Sequence, residues 1–359
     1  MVPIRLFLAA ALAVACNGPG ATSTSFTTPG VTTRPDESSS GGSSSTSDSS
    51  SSSSGSSSGS GSGDSSGTST TEAMFPDMGT QPDFGGPSGC QGKIDFLFVV
   101  SRAANTAPIQ DKLVAAAPDF IATIQDQFED FDLHIMVVDS DEDWWVLHCE
   151  EMACGSCDID PNYPCGYIPT KCDDTLGAGT VFNAGPGTWD MPCELGENRY
   201  ITKDTPDIPG AFECIARVGA VGPNRMGDAL VAAVSPQFNA FDPVPGCNAG
   251  FLRDDALLVL TMIGPEDTPS GWNSKAGPWQ DWHQAVVDAK HGDLDAIVAL
   301  GIVSGEGCEL DQDPDRRLCN LIPSFPRSIR EPLALEDYSE AFDKAAELAL
   351  DACSVFVPG

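Results

Sequence analysis

Ile94-Asp95-Phe96-Leu97-Phe98-Val99-Val100 is a short run of aromatic and aliphatic residues broken only by Asp95. Odd and even positions alike are apolar, which is the pattern of a strand covered on both faces and not of one with a wet side. Downstream, Thr106 and Pro108 open a helical pattern that reaches about Phe128. Thr106 reads as its cap, and Pro108 falls in the first turn, where a missing N–H costs nothing. A second strand is expected over 131–138, and two more buried strands over 256–263 and 296–303. A helix over about 279–290 separates those two, and an amphipathic helix over 335–353 closes the chain. Strand and helix alternating at this rhythm predict an α/β domain, doubly wound around a mainly parallel sheet. Between the second strand and the third buried one lies an insertion over about 139–193, rich in Cys, Pro, Gly and Asp and poor in apolar periodicity. Such a segment is expected to be held by disulfides in place of a core. Arg199-Tyr200-Ile201-Thr202 reads as a short strand returning to the sheet, and 208–218 as a helix carrying Cys214.

The apolar first strand, its long helix, an edge strand, the helix opened by Gly227-Asp228-Ala229-Leu230, and a later strand ending in an acidic turn together resemble the von Willebrand factor type A domain. The likeness spans nearly all of 93–356, with the Cys-rich insertion outside it, and is nearest to Ser/Gly-tethered lipoprotein members of that family from myxobacteria. The resemblance implies a ligand site at the carboxyl ends of the strands. In many members an Asp-x-Ser-x-Ser motif, a Thr and a further Asp hold a magnesium-like ion there, whose open position takes a ligand carboxylate. Carried over, the motif falls on Ser101-Arg102-Ala103-Ala104-Asn105, the Thr near Asn224, and the last Asp on Pro265, followed by Glu266 and Asp267. The leading carboxylate is gone, and Arg102 and Arg225 would repel a cation if they border the crevice. Ser101, Asn105, Asn224, Glu266 and Asp267 are therefore the expected ligand-binding residues, with no metal and no other cofactor.

The first fifteen residues carry Arg5 and then an apolar run from Leu6 to Ala15, too short to span a bilayer and suited to a secretory signal. Small residues directly before Cys16 resemble the lipobox of bacterial lipoproteins, which implies lipidation of Cys16 and anchoring to a membrane. Asn17, where a retention signal would carry Asp, points to the outer membrane of the cell envelope. From 16 to 88 the chain is Ser, Gly and Thr with almost nothing apolar, a flexible tether of roughly 45 Å r.m.s. span. The remainder, 89–359, is expected to be one domain. With Cys16 lipidated, the twelve other cysteines, Cys90, Cys149, Cys154, Cys157, Cys165, Cys172, Cys193, Cys214, Cys247, Cys308, Cys319 and Cys353, form an even set in an oxidising compartment. They are the disulfide candidates, and their connectivity is not readable from spacing.

Eighteen Lys+Arg against 52 Asp+Glu leave no basic surface for phosphates, which excludes nucleic acid as a partner. Asp311-Gln312-Asp313-Pro314-Asp315 alternates oxygen donors as a calcium loop does, but Arg316 stands where Gly is needed and Ile322 where the bidentate Glu belongs. Asp158-Ile159-Asp160-Pro161-Asn162 fails in the same way at Tyr163 and Pro169. Trp144-Trp145 forms an aromatic pair after an acidic turn. The four histidines, His134, His148, His283 and His291, lie in no metalloprotease motif, and no nucleophile elbow occurs outside the tether. The expected function is a non-enzymatic envelope lipoprotein that binds a protein or surface ligand. The alternatives are a structural envelope protein with a non-binding type A fold and, last, a hydrolase.

Overall fold

The computed structural model describes residues 90–141 and 170–356, apart from 184, 186, 190, 243, 305–307 and 309–312. The signal, Cys16, the tether, Trp144-Trp145, His148, the acidic run from Asp158, and Cys149, Cys154, Cys157 and Cys165 lie outside the described residues.

The quoted stretch is the heart of β1 (Lys93–Val100). It is followed by α1 (Ala107–Gln127), β2 (Asp132–Asp139), the two-residue strands β3 (Phe182–Asn183), β4 (Met191–Pro192) and β5 (Ile201–Thr202), and the helices α2 (Ile208–Ala216), α3 (Met226–Ala233) and α4 (Pro236–Asn239). Then come β6 (Leu257–Gly264), α5 (Trp279–Ala289), β7 (Ile297–Val303), α6 (Arg317–Leu321), β8 (Ser328–Pro332) and α7 (Ser339–Val355). The result is a mixed α/β architecture around a six-stranded sheet ordered β5-β2-β1-β6-β7-β8, with β3 and β4 a separate pair. Every pairing in the large sheet is parallel except β2 with β5 at one edge.

β1 is buried from Ile94 to Val100 because its side chains feed two different cores. Phe96, Phe98 and Val100 join the cluster made with α1, α2 and α7, and Leu97 and Val99 join the one made with α3, α5 and α6. On the first face, the Phe98 ring packs edge-on against Phe120, Phe212 and Phe342, so three helices converge on one residue of the central strand. On α7 the buried residues Phe342, Ala345, Ala346, Ala349, Ala352 and Cys353 follow helical spacing, and the small alanines among them let the helix lie close to the sheet. The closing helix starts at Ser339, later than the apolar pattern from Leu335, because the chain leaves β8 through a turn at Leu333-Ala334, closed by the Leu335 N–H on the Pro332 carbonyl, and is not yet helical over 335–338.

β8 and α6 carry no readable sequence signal. Ser328-Ile329-Arg330-Glu331-Pro332 pairs only with β7 and is half exposed, so an edge strand that tolerates Pro and charge lacks the apolar run of a central one. Among the described residues, four disulfides join Cys90 to Cys353, Cys172 to Cys247, Cys193 to Cys214, and Cys308 to Cys319. The first closes a loop of 263 residues and ties the entry of β1 to α7. The second and third fasten the described part of the insertion, which also leans on the β2 edge through Thr180 N–H donating to the Val137 carbonyl at 2.8 Å. No helix among the described residues is long and apolar enough to cross a membrane.

Candidate functional site

The chain leaves β1 toward β2 on one side, whereas β6, β7 and β8 lie on the other. A crevice is therefore expected outside the carboxyl ends of β1 and β6, where the connections part in opposite directions. Ser101, the first residue after β1, stands there and is 1% exposed. Its backbone N–H donates to the Ile263 carbonyl at 2.9 Å, and its hydroxyl donates to Asn224 Oδ1 at 2.7 Å. Asn224 Nδ2 in turn donates to the carbonyls of Pro265 and Glu266 at 3.2 and 3.3 Å. The β1, pre-α3 and β6 ends are thus stitched together by side chains that sequence reasoning placed at one site.

Asn105 departs from that expectation. It is exposed, with φ of 72° in the turn before α1, and makes no hydrogen bond to the other four. Left-handed backbone of this kind suits Asn in a turn and directs it away from the crevice floor. Thr106 departs too. It precedes α1 without a side-chain cap, and its hydroxyl donates back to the carbonyls of Ser101 and Ala103 at 3.1 and 2.7 Å. Gln110 Nε2 donates to the same Ser101 carbonyl at 3.2 Å, so the turn is fixed from α1.

Asp267 is the carboxylate of the site, and it is fully engaged. One oxygen accepts from the Ser274 N–H at 3.1 Å and from Arg317 at 2.8 Å. The other accepts from the Gly227 N–H at 3.1 Å and from the Ser274 hydroxyl at 2.5 Å. Gly227 is required at the start of α3, since a Cβ there would sit 2.2 Å from the Trp282 ring. Arg317 also donates to the carbonyls of Asp267, Ser274 and Gly277 and stacks on Trp282 at 4.7 Å. A divalent cation would have to displace this guanidinium, so the residues present do not fit the adhesion-site metal.

The guanidinium that occupies Asp267 is thus Arg317, while the two arginines expected to repel a cation, Arg102 and Arg225, each lie beside another carboxylate. Arg102 is buried with Asp139 at 3.6 Å, and Arg225 is held by Asp228 at 2.9 Å. Arg317 is 50 residues from Asp267 and follows an acidic run, so nothing in its local pattern marks it.

Beside this cluster opens a cleft of about 500 Å³ lined by Ile109, Glu266, Thr268, Ser304, Arg316, Leu333 and Ala334. Trp272, 73% exposed, lies on the loop that continues from Thr268, and its carbonyl accepts from Asn224 N–H at 3.0 Å. The Glu266 carboxylate accepts from the N–H groups of Leu318 and Cys319 at 2.6 and 3.3 Å. Burial nonetheless pushes its carboxyl up to about 7. Burial raises Asp267 as well. Glu266, Cys308 and Cys319 place one carboxylate oxygen and two sulfurs within 4.8 Å of one another. Because the sulfurs are joined to each other, the group is not a metal-ligand set.

Folded protein holds the Glu266 proton to higher pH than unfolded chain does, so its contribution to stability is complete below the ordinary value of 4.5 and is lost as pH rises to about 7. Against Glu266→Gln, which cannot titrate, the wild-type melting temperature is expected to fall steadily between those limits and to level off above them. A constant difference across that window would show that the carboxyl ionises normally.

The three described histidines lie elsewhere. His134 on β2 packs on Tyr200 with Nδ1 2.9 Å from the Phe251 carbonyl, and burial lowers it to about 4. His283 lies against Phe325, and His291 is exposed beside Asp254. Asp313 accepts from the Asp315 N–H, while Asp311 and Gln312 fall outside the described residues.

No family model and no curated protein matches the chain. Among solved structures, proximal thread matrix protein 1 from the mussel byssus, in crystal form 2, is similar at 11% identity over 74% of this chain and 49% of that one, with a TM-score of 0.32. The chain thus spans about half the length of that structure, and a likeness at this level carries no argument about fold or function.

Proposed function

We propose that the domain is a doubly wound α/β fold of the von Willebrand factor type A kind, that it is displayed on the outer membrane by a lipid on Cys16, and that it binds a protein or surface ligand without metal or catalysis. The observation that carries this reading is the cleft at the strand carboxyl ends, where Ile109, Leu333 and Ala334 give apolar contact and Glu266, Thr268, Ser304 and Arg316 give polar contact. Mixed concave lining of this type is what a recognition surface needs. None of the lining residues is a histidine, and the strongly acidic chain favours cationic or neutral partners.

The self-satisfied pairs Ser101 with Asn224 and Asp267 with Arg317 favour the second reading, an architectural domain that binds nothing. Capture from envelope extracts with the full chain separates the two. Ala334 is exposed on the cleft wall, so Ala334→Trp should fill the cleft, leave the melting temperature unchanged and abolish recovery of the partner. Recovery of the same proteins by both chains would sink the binding reading. A Cys16→Ala chain in the same preparation should leave the membrane fraction, and its retention there would remove the lipid anchor.

A further inference from the structure

Four disulfides are described, and one differs from the rest in its chemical surroundings. Only Cys308–Cys319 has a carboxylate oxygen within 4.8 Å of both its sulfurs among the described residues. That carboxylate is Glu266, and Glu266 and Ser304 both line the cleft, while the Ser304 carbonyl lies 3.0 Å from Cys308 Sγ and 3.6 Å from Cys319 Sγ. The sulfurs therefore stand directly behind the cleft wall, with Cys308 and Cys319 only 6% and 3% exposed.

We propose that Cys308–Cys319 is a reducible disulfide, opened by a small dithiol that enters the cleft, with Glu266 as the proton donor to the departing sulfur. The inference does not depend on whether the cleft also binds a macromolecule. A thiolate of the dithiol attacks one sulfur, the S–S bond breaks, and the electron pair leaves on the other sulfur, which takes the Glu266 proton directly or through one water. The second thiol of the reagent gives its proton to the Glu266 carboxylate and attacks the mixed disulfide. The reagent departs as its own disulfide, oxidised by two electrons, and the second cysteine leaves as thiolate and takes that proton. Glu266 recovers a proton from solvent, matching the one lost when the first thiolate formed.

The acid is suited to the task because burial holds its proton up to about pH 7. Above that pH the carboxylate works against exchange twice, by repelling the attacking thiolate and by leaving the departing sulfur without a donor. The charged groups around it are Asp267 on the same loop, Arg316 and Arg317 at the start of α6, and Arg330 of β8, which donates to the Cys319 carbonyl at 3.2 Å. Arg316 is shared with Asp313 at 3.9 Å, and Arg317 is committed to Asp267.

The test is graded reduction of the folded full chain with dithiothreitol, quenching by alkylation, and mass spectrometry of each cysteine peptide from pH 5.5 to 8.5. With the rate divided by the thiolate concentration, opening of Cys308–Cys319 should fall at least tenfold as pH rises through about 7, the order expected when a general acid is lost. The Cys90–Cys353, Cys172–Cys247 and Cys193–Cys214 peptides should show no such fall. In Glu266→Gln the Cys308–Cys319 profile should become flat and lie about tenfold below wild type at pH 6. A flat wild-type profile, or no opening of this pair before global unfolding, would overturn the proposal, and neither readout requires the variant to fold.

Discussion

Arg253→Ala should lower the melting temperature by roughly 10 °C, the largest loss expected from a single charged residue of this domain. Asp95 lies inside β1 with no exposed surface, the one polar residue in its buried stretch from Ile94 to Val100. Arg253 reaches it from the loop before β6. Its backbone N–H and its Nε each donate to the Asp95 carboxylate at 2.8 Å, and Nη2 also reaches the carbonyls of Ile94 and Asp132 at 3.0 and 2.8 Å. Removing the guanidinium leaves a buried carboxylate with its cation gone, which typically costs about 3–5 kcal/mol. For a domain of this size each kcal/mol is worth about 2–4 °C. Burial already pushes Asp95 up to about 6, with Arg253 opposing it, so without Arg253 the acid should keep its proton to still higher pH. The loss should therefore be smaller at pH 5 than at pH 8. Lys290, whose ammonium is spent on the carbonyls of Arg253 and Ala256, is not placed to replace the guanidinium. Thermal melts of the variant at both pH values decide the matter, and an equal loss at both would mean that Asp95 stays ionised without its partner.

Arg317→Ala should cost about 3 kcal/mol by the same mechanism, eased because the Ser274 and Gly227 donors remain on Asp267. Arg317→Lys is the sharper experiment. An ammonium keeps the charge but cannot serve Asp267, Ser274 and Gly277 together while lying flat on Trp282. At least half of the alanine loss should persist in the lysine variant. Full rescue by Lys would show that charge alone matters and would weaken the argument that a planar fork occupies the place of a cation.

The strands that meet neighbours on both sides were legible because burial on two faces forces a nearly continuous apolar run, as in β1, β6 and β7. The edge strands β5 and β8 differ in kind. β5 is two residues long and was found only through its apolar neighbours, and β8 could not be found, because pairing on one side demands no hydrophobic code. Of the candidate ligand residues, Ser101, Asn224, Glu266 and Asp267 do come together, since strand ends in a parallel sheet are brought to one side by the topology itself. Asn105 does not join them, because a turn can aim one residue outward without changing the pattern around it.

The amino-acid sequence by itself determined the α/β rhythm, the disulfide-rich character of the chain and the absence of a leading carboxylate after β1. These are local matters of periodicity, composition and residue identity. Only the tertiary structure decided which described cysteines pair, that Arg317 neutralises Asp267, and that Glu266 stands beside the Cys308–Cys319 bond. Those contacts join segments some 10 to 260 residues apart, and the energies that select them come from burial and charge pairing, which depend on what surrounds a residue in space and leave no trace in the pattern of its neighbours in the chain.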